Sequence, residues 1–84
     1  MKEKLVGEIT HYFGKIDVAI VKLHDILKEG DVIHIKGKDT DFTQTVSSMQ
    51  IEHKNVKTAK KGATIGMKVN NKIKEGDEIY LVQE

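Results

Sequence analysis

The chain has 84 residues, 38% of them apolar and 32% charged, with no cysteine, no proline and a formal net charge of +1. A chain of this length holds one modest core and leaves little room for a deep enzyme cleft. Its longest apolar run, Val18-Ala19-Ile20-Val21, falls far short of the roughly 20 residues of a membrane-spanning helix, so no membrane is expected among its partners.

Short apolar runs separated by Gly and Asp clusters predict one all-β domain over residues 1–84, with its core within about 5–82. The first strand is expected from Leu5 to Tyr12. Alternation puts Leu5, Gly7, Ile9 and His11 on one face and Val6, Glu8 and Thr10 on the other. Phe13-Gly14-Lys15 reads as a turn. Val18 to Leu23 is rich in β-branched residues and too continuously apolar for a single helical stripe, so it reads as the second strand. The third is Val32 to Lys36. The fourth runs from Phe42 through Val46 toward Ile51. Its alternation slips at Ser47-Ser48, where a β-bulge would restore the core face. A lysine-rich loop covers His53 to Gly62. The fifth strand places Ile65, Met67 and Val69 on one face, and the last is Glu78 to Val82.

The segment from Leu27 to Ile35 is echoed by the segment from Ile73 to Leu81. Each places an apolar residue, a Gly-Asp turn (Gly30-Asp31, Gly76-Asp77) and a strand in the same order. Two like corners predict a closed barrel with pseudo-symmetric halves, which would also remove exposed strand edges.

Charge is unevenly placed. Residues 54–74 hold seven lysines and no acid, whereas residues 75–84 hold four acids and no base. Every basic residue is lysine, so bidentate guanidinium readout is excluded, while lysines remain able to act as point charges on an anionic surface. Lys54, Lys57, Lys60, Lys61 and Lys68 are the candidate residues for binding nucleic acid or a partner. The alternative is a lysine-coated face that simply meets water. Tyr12 and Phe13 form either a stacking platform or a plug at a barrel end. His11, His24, His34 and His53 lack metal-ligand spacing and have no cysteine to assist them, so no metal is expected. Adjacent His24 and Asp25 point to opposite faces of a strand and make a poor dyad. No serine lies in a nucleophile elbow. The chain therefore reads as non-catalytic and without cofactors. The lack of cysteine points to the cytoplasm.

Several fragments in order resemble a known family. They are Val6-Gly7-Glu8-Ile9, the Leu27 to Ile35 corner, Thr45-Val46-Ser47-Ser48-Met49, then Val56, Ala59 and Gly62, then Thr64-Ile65-Gly66-Met67, and the Gly76-Asp77 corner. Together they resemble domain 2 of elongation factor Tu and its relatives, such as initiation factor 2 and the selenocysteine-specific factor. The resemblance implies a translation-protein β-barrel of about six strands, partly Greek-key, standing alone. No phosphate loop is present, so GTPase activity and nucleotide binding do not carry over. The family's pocket for the aminoacylated tRNA end aligns with Gly62-Ala63-Thr64-Ile65-Gly66, where Ala63 and Thr64 replace its two polar positions. The same barrel also occurs at the C-terminus of collagenase-like peptidases that act in RNA modification. From this likeness the expected function is a binding module for structured RNA, tRNA or rRNA, through the lysine loop. The alternative is a protein-interaction module that docks an acidic partner subunit.

Overall fold

Gly30 and Gly76 both take positive φ, 94° and 93°, a conformation glycine adopts without steric cost. Each sits in the same hydrogen-bonded corner of the computed structural model, which describes residues 2–83. At the first corner the Lys28 N–H donates to the Asp31 carboxyl (2.9 Å) and the Asp31 N–H to the Lys28 carbonyl (3.1 Å). Lys74 and Asp77 repeat both bonds at 2.9 and 3.1 Å. Each corner then grips a distant segment. Gly30 donates to the Val46 carbonyl and Val46 donates to that of Asp31, and Gly76 and Asp77 hold Ile9 in the same way. The sequence echo is therefore an echo in hydrogen bonding.

The strands are β1 (Lys2–Phe13), β2 (Val18–Leu23), β3 (Leu27–Lys28), β4 (Val32–Lys36), β5 (Asp41–Thr45), β6 (Met49–Ile51), β7 (Lys54–Val56), β8 (Thr58–Ala59), β9 (Thr64–Lys68) and β10 (Glu78–Gln83). Eight form one antiparallel sheet in the order β5-β4-β10-β1-β2-β9-β6-β7, and β3 pairs with β8. The all-β expectation holds, but the closed six-stranded barrel does not. Among the described residues the edge strands β5 and β7 are not paired with each other. The physical cause lies at Val46, whose backbone is taken by the Gly30 corner. The expected fourth strand therefore breaks into β5 and β6 instead of carrying a bulge. A side chain partly spans the opening: the Gln44 amide donates to the Lys68 carbonyl (3.0 Å) and accepts from the Asn70 N–H (2.8 Å).

The core lies on the inner faces of these strands, with Val6, Ile9, Val21, Leu23, Leu27, Ile33, Ile35, Ile65, Met67 and Ile79 all buried. The expected faces of β1 need correction. Its pairing shifts register between Leu5 and Gly7 and again between Ile9 and His11. Each irregularity reverses the alternation. Val6 is therefore buried while Leu5 is 40% exposed, and His11 stands on the outside.

Candidate functional site: an apolar groove ending in lysines

Alternation on β2 turns Ala19, Val21 and Leu23 into the core and leaves Val18, Ile20 and Lys22 on the outer face. On β9 the same rule buries Ile65 and Met67 and presents Thr64, Gly66 and Lys68 outward. The ladder sets these residues side by side as Val18–Lys68, Ile20–Gly66 and Lys22–Thr64. Gly66 has no side chain, and a Cβ there would stand 3.7 Å from Val18 and 3.9 Å from Ile20. Its absence makes a depression of about 310 Å³, lined by Phe13, Ile16, Val18, Ile20 and Gly66 with Gln50, Glu52, His53 and Thr64 at its polar margin. Phe13, whose ring tilts against that of His11 with centroids 5.8 Å apart, and Ile16 are 48% and 59% exposed, and together with Val18 and Ile20 they give the depression an apolar rim of the kind that marks interaction sites. The volume lies at the small end of the ~300–1,000 Å³ range of ligand pockets, a size suited to a side chain.

The sequence identified Phe13 but missed the groove. Its floor is made by a glycine, and its walls come from residues that alternation would assign to a solvated face. Of the proposed stacking pair, Phe13 lines the groove, while Tyr12 is half-buried and donates its hydroxyl to Asp17 at 3.3 Å. The lysines are exposed but do not come from one loop. Lys54 opens β7, and Lys57, Lys60 and Lys61 flank β8. Lys68 ends β9, where it is the cross-strand neighbour of Val18 at the groove's end. Lys22 stands at the other end. Its cross-strand neighbour on β1 is Glu8, whose carboxylate lies 3.8 Å from His24.

A second cluster gathers on the face shared by β1, β4, β5 and β10. His34 contacts Glu3 through Nδ1 (2.7 Å) and Asp41 through Nε2. Lys36 pairs with the other oxygen of Glu3 at 2.9 Å and lies 5.1 Å above the Tyr80 ring. Two carboxylate partners call for two ring N–H donors, which only the imidazolium has. Asp41 and then Glu3 raise the His34 pKa above its usual value, and Lys36 and then His34 hold Glu3 below the usual carboxylate range. A raised histidine pKa gives stability that is full below the usual imidazole value of about 6.5 and is lost as pH rises through the folded value. A depressed Glu3 gives stability that is lost as pH falls through its lowered value. The melting temperature is therefore expected to fall on both sides of a mildly acidic maximum. His34→Gln is expected to flatten the alkaline limb, read by thermal unfolding across a pH series. An unchanged alkaline limb would show that the cluster is not linked to folding.

No protein-family model matches the chain. An uncharacterised protease of Methanocaldococcus jannaschii is 44% identical over 80 residues, which are 94% of this chain and 20% of that protein. The chain thus spans a fifth of the length of the curated relative it matches. The C-terminal domain of a protein named as a U32 peptidase, from Geobacillus thermoleovorans, superposes with a TM-score of 0.89 at 17% identity, covering 95% of this chain and 93% of that one. The chain shares that domain's fold. The selenomethionine form of the same domain gives 0.86 at 18% identity over 90% and 96% of the two chains.

These findings overturn the assignment to an elongation factor Tu domain 2-like family, and with it the reading of a translation-type module for tRNA or rRNA. The shared Gly-Asp corners are a way of turning a strand in a small sheet. The likeness that stands is to a module at the C-terminus of a peptidase. Among the described residues no helix is long and apolar enough to cross a membrane.

Proposed function

We propose that the chain is an accessory, non-catalytic module of a U32-peptidase-type protein, working in the cytoplasm by protein–protein contact with the portion that carries the peptidase chemistry. The observation that carries this reading is the match of nearly the whole chain to one fifth of a protease, together with the fold of a peptidase's C-terminal domain. The groove supports it too, because large apolar side chains exposed around a formed depression are the usual anchor sites of protein interfaces. The lysines near β8 then serve as solvated charge or as steering toward an acidic surface of the same protein.

A domain exchange tests the reading. The matched 80-residue segment of the Methanocaldococcus jannaschii protease is replaced by this chain, and cleavage of a peptide library is compared with the unaltered protease and with a deletion of the segment. The hybrid is expected to retain cleavage that the deletion loses. A hybrid no better than the deletion overturns the proposal.

A further inference from the structure

We infer that the groove binds an extended segment of the peptidase portion, one that carries a large apolar side chain with a carboxylate two residues to either side. This inference rests on the accessory-module reading and adds to it the site and the chemistry of its occupant. The outer face of β2 and β9 is apolar in the middle and cationic at both ends. The Ile20–Gly66 pair is central, Lys68 stands beside Val18, and Lys22 stands beside Thr64. Among the described residues neither lysine has a carboxylate within 4.0 Å, whereas Lys4, Lys36 and Lys74 each have one. The rows that hold Lys22 and Lys68 are four residues apart on either strand, so they are separated by about 13 Å at 3.3 Å per residue.

An extended segment laid on this face has the same rise. Its residues at i−2, i and i+2 point the same way, and the outer two are also about 13 Å apart. An apolar residue at i enters over Gly66, where the missing Cβ leaves room between Val18 and Ile20. Phe13 and Ile16 close over it, and carboxylates at i−2 and i+2 reach the two lysines. Charge complementarity thus fixes the register, and burial of the central side chain supplies most of the affinity. The Glu52 carboxylate on the β6 side of the groove repels an acidic segment displaced that way. About four-fifths of the relative lies outside the matched segment, which leaves ample chain to provide the occupant.

The test uses a capped Glu-Thr-Trp-Thr-Glu peptide added to the isotope-labelled chain and followed by amide chemical shifts. Binding on the order of 10⁻⁴ M is expected, with shifts centred on Val18, Ile20 and Gly66. Replacing both glutamates by lysine, or the tryptophan by glycine, is expected to weaken it roughly tenfold or more. The Lys22→Glu, Lys68→Glu double variant should reverse the preference toward the lysine peptide. Equal binding of the three peptides, or shifts centred elsewhere, overturns the inference. The same double variant placed in the hybrid protease is expected to lower its cleavage to the deletion level. If the unaltered hybrid is active and the charge-reversed hybrid equally so, the groove inference falls and the accessory reading stands. If the unaltered hybrid is inactive, the accessory reading falls and takes the assigned source of the segment with it, whatever the peptide does.

Discussion

Gln44→Leu is expected to destabilise the chain by about 2–4 kcal/mol, an effect that comes from lost hydrogen bonding. Leucine is close to glutamine in volume, so the change removes polarity while largely filling the same space. Gln44 is 6% exposed, and its amide both donates to the Lys68 carbonyl and accepts from the Asn70 N–H. Those two backbone groups flank Val69, which is buried, and the eight-stranded ladder ends at β5 without pairing them. Removing the amide leaves a donor and an acceptor without partners beside the core, which costs more than the two bonds themselves contribute. Gln44→Glu should cost at least as much at neutral pH, because its ionised carboxylate still accepts from Asn70 but sets a buried charge against the Lys68 carbonyl oxygen. Urea unfolding reads both changes as a lower midpoint with the slope unchanged. A loss below about 0.5 kcal/mol for Gln44→Leu, within the ordinary range for surface changes, would mean that Gln44 does not hold the edge strand in place.

Gln44 also marks the limit of what the amino-acid sequence makes legible. The strands at 18–23 and 32–36 were legible to the residue, and those at 64–68 and 78–83 to within one residue at their ends, because apolar residues alternate there and Gly-Asp pairs bound two of them. The two corners were legible because an Asp three residues after the N–H it accepts from, with Gly before it, has one economical backbone solution. What failed was parity. Nothing in Leu5-Val6-Gly7 or Ile9-Thr10-His11 announces an extra residue, yet two register shifts in β1 expose Leu5 and His11. Closure failed for a related reason. Alternation reports which face a residue takes but not whether its backbone is already bonded elsewhere, as that of Val46 is. The groove was hidden because its defining residue, Gly66, contributes a missing atom. The lysines were visible as a run, but the strands β7 and β8 that divide it were not, because the short apolar stretches there carry no clear alternation. Family resemblance built on corners and alternation inherited the same weakness, since those features report how a small sheet bends.

The two corners are alike in backbone bonding but unlike in burial, and this predicts unequal costs for one substitution. Asp77→Ala is expected to cost about 2–4 kcal/mol and Asp31→Ala about 1 kcal/mol. Both carboxyls accept from an N–H three residues upstream at 2.9 Å, so loss of that bond alone would give equal effects. Asp77, however, is 5% exposed, while Asp31 is half-buried, so water can replace the lost partner only at the first corner. Asp77 also packs directly on Gly37: a Cβ built on Gly37 would fall onto the Asp77 carboxyl. Gly37 heads the turn after β4, with its N–H donating to the Thr40 carbonyl at 2.8 Å, so it cannot retreat without breaking that turn. Gly37→Ala should therefore destabilise the chain when Asp77 is present and cost much less in the Asp77→Ala background, where the space is free. The coupling in this double-mutant cycle is expected to be at least about 1 kcal/mol, against the few tenths usual for independent sites. Additive losses would show that Gly37 is required by its own turn and not by the carboxyl it faces. Unequal losses at Asp31 and Asp77 with strong Gly37 coupling would identify the second corner as the one that fastens β4 and β10 to β1, the strand that carries Phe13 into the groove.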